Sequence, residues 1–387
     1  MSLRLAVLAI LAHSTFAQTW HLSQDFSGPT FFDGFNYIEN VTDPSQNVGT
    51  IHTIGESSPL KSKMTFVDGN GRAIVKVDNE TVGNPQDNEF GRNTIYLKSK
   101  QPMKFGSLLV ADMNHIPYGC SVWPGLFTQG ANWPQGGEFD LVEGINLQAK
   151  NQYALHTDRS HTCEQKATSD QQTGTTTFGD CGSDGNNNRG CTVQEASSKS
   201  LGSSFAGGAY ALAWDEQGVR TWFFERGSLP TGIDTNPDPS KWPEPSAFYP
   251  ASGCDPKAAF ADQVITLAIN ICGNWAVAAF GETCSSVASQ CVDLVRNPAN
   301  YNNAYWEFNY IRVYTSDGTS TNTNSGSSTP TKTGSTSSTR ASTSASAPAS
   351  SQSGGSNVGV SLKEHGLLRN MVAISALILV PAIVLCI

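Results

Sequence analysis

Trp133-Pro134-Gln135-Gly136-Gly137-Glu138-Phe139-Asp140-Leu141-Val142-Glu143-Gly144-Ile145-Asn146 is the most informative stretch of the chain. Three acids fall within six residues of an otherwise apolar, strand-like run. Side chains alternate faces along a strand, so Glu138 and Asp140 point the same way. Glu143, five residues from Glu138, falls on the opposite face of a regular strand. One extra residue around Leu141-Val142, a β-bulge, restores the parity, and bulges often re-aim side chains beside active sites. All three acids then project from one face.

The neighbouring sequence has the same strand character. Ala73-Ile74-Val75-Lys76-Val77, Thr94-Ile95-Tyr96-Leu97, Ser107-Leu108-Leu109-Val110-Ala111, Arg220-Thr221-Trp222-Phe223-Phe224 and Val264-Ile265-Thr266-Leu267-Ala268-Ile269 are short and mostly rich in β-branched or aromatic residues. Gly, Asn, Asp or Pro lie nearby. No long stretch spaces apolar residues at three and four, so the expectation is an all-β sandwich or barrel rather than βαβ units.

Two carboxyl groups on one face suit glycoside hydrolysis. One attacks the anomeric carbon and the other, protonated, donates to the leaving oxygen. A third acid between them can hydrogen-bond one partner and hold its neighbour's proton by like-charge repulsion. A solvated acidic strand or a calcium site would use the same residue types. Flanking aromatics and glycines favour a sugar, since pyranose rings stack on aromatic faces and Gly lets a ligand approach the backbone.

Glu138-Phe-Asp140-Leu-Val-Glu143 resembles the E-x-D-x-x-E signature of glycoside hydrolase family 16 in its bulged, laminarinase-like form. Further matches follow in order over most of residues 18–314. They are Phe31-Phe-Asp33-Gly34-Phe35, Gly91-Arg92-Asn-Thr-Ile-Tyr-Leu-Lys-Ser, Tyr118-Gly-Cys120-Ser-Val-Trp123-Pro, Leu155-His156-Thr157, Cys272-Gly-Asn-Trp275-Ala and Ala304 to Tyr314. The resemblance implies a jelly-roll sandwich of two curved antiparallel sheets with an open cleft. It implies Glu138 as nucleophile, Asp140 as assisting acid and Glu143 as general acid/base. Trp133, Trp123, Phe127, Trp275, His156 and Arg92 are the implied substrate contacts, with no cofactor and no metal. Phe127 stands where the family's cleft segment usually has a second Trp, and Asn274 where it usually has Asp. The activity implied is internal cleavage of β-1,3 or mixed β-1,3/1,4 glucan by a monomer. The rival readings are a wall-remodelling transglycosylase and a non-catalytic glucan-binding wall protein. A pure binder, however, has no need of Glu138 and Glu143 together. No Gly-x-Ser-x-Gly elbow and no phosphate-binding loop occurs.

The remaining sequence supplies an address. Residues 1–17, MSLRLAVLAILAHSTFA, read as a secretory signal peptide, with Arg4 before an apolar run too short to span a bilayer. Cys120, Cys163, Cys181, Cys191, Cys254, Cys272, Cys284 and Cys291 then reside in an oxidising compartment and read as disulfides, apart from Cys386 in the tail. Spacing alone makes Cys181/Cys191 and Cys284/Cys291 the tempting pairs. Residues 18–314 are the catalytic domain. Residues 315–357, with 25 Ser or Thr in 43, read as a disordered stalk of the O-glycosylated kind. Asn40 and Asn79 begin N-glycosylation sequons.

Residues 358–387 read as a glycosylphosphatidylinositol (GPI) anchor signal. Small residues Gly354, Gly355, Ser356 and Asn357 are the candidate attachment sites, followed by a polar spacer and the apolar tail MVAISALILVPAIVLCI. The expected location is the outer face of the plasma membrane or, after transfer, the cell wall. Asp and Glu number 33 against 24 Lys and Arg, with no basic cluster. That excludes a nucleic-acid partner and leaves a neutral polysaccharide and the lipid bilayer.

Overall fold

The computed structural model describes residues 19–41, 47–184 and 188–316. The expected signal peptide, the expected anchor signal with Gly354 to Asn357, Cys386 and all but the first two residues of the expected stalk lie outside them. Among the described residues no helix is long and apolar enough to cross a membrane.

Two large sheets dominate, as the alternating runs imply. One follows the order 175–178, 191–194, 152–158, 138–143, 122–129, 264–271, 96–99 and 35–37, with neighbours antiparallel. Glu138–Glu143 therefore lies in mid-sheet. The other sheet follows 247–250, 218–225, 208–215, 107–115, 305–316, 73–76 and 65–67, with 20–27 also on 305–316.

The inner faces meet in one core. Phe139, Leu126, Leu155 and Leu267 from the first sheet pack with Leu109, Met113, Leu212 and Trp214 from the second. Phe139 and Trp214 meet edge to face at 5.4 Å. Burying each such side chain contributes roughly 1.5–3 kcal/mol. The second sheet is covered on its outer face too: Leu108, Val110, Ala211, Trp222 and Phe224 pack under Ile233, Leu229 and Trp242. That is why residues 108–111 in the strand Ser107–His115 read as a continuous apolar run rather than an alternation. Among the described residues the outer face of the first sheet is covered only in part, by the segment of Trp275 and Ala276 on Trp123, and forms a cleft.

Four disulfides join Cys120–Cys284, Cys163–Cys254, Cys181–Cys191 and Cys272–Cys291. The Cys181/Cys191 pair holds, whereas the Cys284/Cys291 pair is corrected. Cys284 follows the short helix Phe280–Thr283 and meets Cys120, while Cys291 opens a separate turn that meets Cys272. Closeness in sequence is overridden because both bridges fasten the segment bearing Trp275, Cys272–Cys291 closing it on itself and Cys120–Cys284 tying it across the chain. The last strand runs Tyr305–Ser316, and Ser316 is in register with Trp20.

Candidate active site

The bulge falls where strand parity required it. Against Val122–Gln129, Glu138 pairs with Gln129 and Asp140 with Phe127. Val142 then pairs with Leu126 and Glu143 with Gly125, leaving Leu141 as the extra residue. Phe139, Leu141 and Val142 enter the core while Glu138, Asp140 and Glu143 line the cleft. Gly137, at φ +70°, precedes the strand, and a Cβ there would come within 2.3 Å of the Phe260 ring. Only glycine fits that approach.

Each acid has a distinct neighbour. Gln129 Nε2 donates to Glu138 Oε2 at 2.6 Å, and Trp123 Nε1 donates to Glu143 Oε1 at 3.1 Å. Asp140 is hydrogen-bonded to Glu138. His156 Nε2 lies 3.1 Å from Asp140 Oδ2, and its Nδ1 is 2.9 Å from Ser183 Oγ. Glu138, Asp140 and His156 each bring one donor atom within 4.8 Å of the others, compact enough for a divalent cation.

The cleft has a volume of about 860 Å³ and is lined by every expected contact except Arg92. Trp123 and Trp275 meet edge to face at 5.4 Å beside Glu143. Trp133 lies 6.3 Å from the His156 ring, and its buried Nε1 has no partner among the described residues. Phe127 packs edge-on to Tyr96. The expectation for Arg92 is corrected. Its side chain is fully buried between the rings of Phe90 and Tyr301 and donates to the carbonyls of Asp78, Thr81 and Val295. It ties loops together behind the cleft. Of the two sequons, Asn40 lines the cleft mouth, whereas Asn79 Nδ2 donates to Asn302 Oδ1 away from it.

Gln129 is a site residue that motif reading missed. It has the parity of Trp123, Gly125 and Phe127, so period-two reading of that strand places it in the cleft. Lys98, on the same face as Tyr96, could be found in the same way. Ser183 carries no such signal, because it reaches His156 through the short parallel pairing of 182–183 with Thr157 and Asp158.

Burial pushes the Glu138 carboxyl up to about 8, aided by the charge of Asp140. Burial also lifts Asp140 to about 7 and, with Asp140 again contributing, Glu143 to about 8. Three such groups cannot ionise together, so their protons belong to the cluster. Each folded value exceeds the roughly 4 of a free carboxyl. The stability these groups contribute is therefore complete below about pH 4 and lost as pH rises toward 7–8. Glu143→Gln removes one partly buried charge while keeping its size. The Tm of this variant should match wild type near pH 4 and exceed it by roughly 2–4 °C or more near pH 8. Thermal unfolding across that range decides, and a pH-independent difference would contradict the upward shift.

The XgeA-like catalytic GH16 domain matches residues 35–314. The chain belongs to glycoside hydrolase family 16. It is 35% identical over 305 residues to a probable glycosidase of Schizosaccharomyces pombe, covering 77% of this chain and 70% of that one. It is 34% identical over 310 residues to a probable endo-1,3(4)-β-glucanase of Aspergillus fumigatus, covering 77% of this chain but only 46% of that protein. Among solved structures, laminarinase 16A of Phanerochaete chrysosporium, with 6-O-glucosyl-laminaritriose in donor and acceptor sites, aligns at TM-score 0.70 and 30% identity. The alignment covers 76% of this chain and 99% of that one. An elongating family 16 β-1,3-glucosyltransferase aligns at TM-score 0.68 and 32% identity over 76% and 100%. The jelly-roll fold and glycoside hydrolase membership expected from the signature both hold.

Proposed function

We propose that this protein is a retaining endo-hydrolase of β-1,3 or mixed-linkage β-1,3/1,4 glucans. The observation that carries the reading is the bulged mid-sheet strand, which turns Glu138, Asp140 and Glu143 onto one face of a cleft lined by Trp123, Trp133, Trp275 and Phe127. The acids share protons, and the reactive form carries the negative charge on Glu138, where Gln129 Nε2 stabilises it, and a proton on Glu143. The Glu138 carboxylate attacks the anomeric carbon, and the glycosidic bond breaks as Glu143 delivers its proton to the leaving oxygen. Water then gives a proton to Glu143 and attacks the same carbon, releasing Glu138. Two displacements retain the β configuration. Asp140 hydrogen-bonds Glu138, and its proximity disfavours a second charge on Glu143. The names of the A. fumigatus relative and the P. chrysosporium laminarinase support the substrate class.

The elongating glucosyltransferase neighbour supports a second reading, in which a sugar hydroxyl replaces water in the second step. The two readings differ in what occupies the space beyond the scissile bond. Laminarin incubated with the enzyme should accumulate reducing ends and short β-configured oligosaccharides. Labelled laminari-oligosaccharide acceptor should capture only a minor fraction of turnover. Constant reducing ends with the label in long polymer would establish the transferase.

We further propose secretion, N-glycans on Asn40 and Asn79, and a GPI anchor attached within Gly354 to Asn357. The apolar h-region, the sequons and the small-residue site followed by spacer and apolar tail support these assignments. Phosphatidylinositol-specific phospholipase C should release glucanase activity from intact cells expressing the full chain. Activity that stays with the membrane although a known anchored control is released would favour a transmembrane tail.

A further inference from the structure

A bulge solves the parity problem for Glu143 and creates another in the backbone. Toward Val122–Gln129, the Glu138–Glu143 strand stays paired through Glu143↔Gly125. Toward Gln152–Asp158, pairing covers only Glu138↔His156, Phe139↔Leu155 and Asp140↔Ala154. Beyond Asp140, ladder bonding on that side stops. The Leu141 carbonyl and the Glu143 N–H are then without strand partners in the segment that must hold Glu143 still.

Asn151, immediately before the Gln152–Asp158 strand, fills both vacancies. Its Oδ1 accepts from the Glu143 N–H at 2.9 Å, and its Nδ2 donates to the Leu141 carbonyl at 2.9 Å. A carboxamide offers the same acceptor and donor as a peptide group, so one side chain stands in for the missing residue of backbone. Asn151 is itself fully buried and held at both backbone ends. Its N–H donates to Ser200 Oγ at 2.9 Å, and its carbonyl accepts from the Glu195 N–H at 2.9 Å. The other end of Glu143 is fixed by Trp123 Nε1. Asn151 thus sets the backbone from which the Glu143 carboxyl swings, and Trp123 sets where the carboxyl stops.

We propose that Asn151 is a positioning residue for the proton donor, acting through the backbone on either side of the bulge. The proposal rests on Glu143 being the general acid/base. Misplacing that carboxyl should penalise only substrates whose leaving group needs a proton, because Glu138 on the regularly paired part of the strand is untouched.

The test compares kcat/KM, per active site titrated with a 2-fluoro-sugar inactivator, on laminarin and on a dinitrophenyl laminaribioside. Asn151→Ala should lose about 100-fold on laminarin, the scale expected for misplacing a catalytic group by about 1 Å, and no more than about threefold on the activated glycoside. Asn151→Asp keeps the size and the acceptor but faces the Leu141 carbonyl with oxygen. It should show the same split at about tenfold, and it serves where the Ala variant fails to fold. Ser200→Ala removes one of the two backbone anchors of Asn151 and leaves its carboxamide in place, so it should lower Tm and show at most a small fraction of the split seen with Asn151→Ala. Equal losses on both substrates for Asn151→Ala and Asn151→Asp would make the residue merely structural. A split in Ser200→Ala as large as that in Asn151→Ala would assign the effect to the loop and overturn the proposal. Glu143→Gln, run alongside, separates the two layers of inference. If it shows the split and the Asn151 variants do not, only this proposal falls. If it shows none, the role of Glu143 falls and takes this proposal with it.

Discussion

Replacing Glu138 by Gln is expected to lower laminarin turnover by about 10⁴-fold or more, with the fold intact. The amide preserves size and still accepts from Gln129 Nε2, so the floor of the cleft keeps its hydrogen bond. What disappears is the oxygen nucleophile, and with it the covalent intermediate. Partial rescue of a Glu138→Ala variant by azide makes the prediction sharper. A small anion entering the vacated space attacks the anomeric carbon from the face Glu138 used. With an activated β-glycoside the product is then an α-glycosyl azide, inverted because only one displacement occurs. Residual turnover near wild type in Glu138→Gln, or a β-azide from Glu138→Ala, would remove Glu138 from the nucleophile's role.

Why Glu138 could be picked out from sequence, and Arg92 could not, has a physical explanation. Alternation along a strand is a local geometric rule, and the spacing of Glu138, Asp140 and Glu143 breaks it unless one residue bulges. The bulge at Leu141 was therefore legible, and with it the common face of the three acids. Trp123 and Phe127 came instead from the resemblance of their segment to the family's cleft strand. Arg92 lies in a segment that resembles the family just as well, but its orientation depends on Phe90, Tyr301 and the Val295 carbonyl. Val295 is some two hundred residues distant, and no local pattern encodes that contact. The disulfides show the same limit. Cys181 and Cys191 sit on adjoining segments of one sheet, where spacing is informative, whereas Cys120 reaches Cys284 across 164 residues. Ser183 and Asn151 were missed for a related reason, since each acts on a strand it does not belong to.

Glu143→Gln should divide substrates by leaving group. On laminarin the departing oxygen is a sugar alkoxide unless it is protonated, and kcat/KM should fall by about 10²–10⁴-fold, the usual worth of general acid catalysis. On a dinitrophenyl β-laminaribioside the leaving phenolate is stable without a proton, so kcat/KM, which reports the first displacement, should stay within about threefold. The amide oxygen can still accept from Trp123 Nε1, so the comparison is not clouded by a lost contact. The second displacement also uses Glu143, as base toward water. The variant should therefore release a burst of dinitrophenol and then slow as glycosyl-enzyme accumulates on Glu138. The pH profile supplies an independent reading. Burial holds the whole carboxyl cluster up, so wild-type activity on laminarin should decline on the alkaline side once the cluster loses the proton that Glu143 donates. In Glu143→Gln no proton is left to lose, and kcat/KM on the activated glycoside should show no alkaline fall attributable to this residue. Equal losses on both substrates, or an alkaline limb that persists in the variant on the activated glycoside, would move the acid/base role to another group in the cleft.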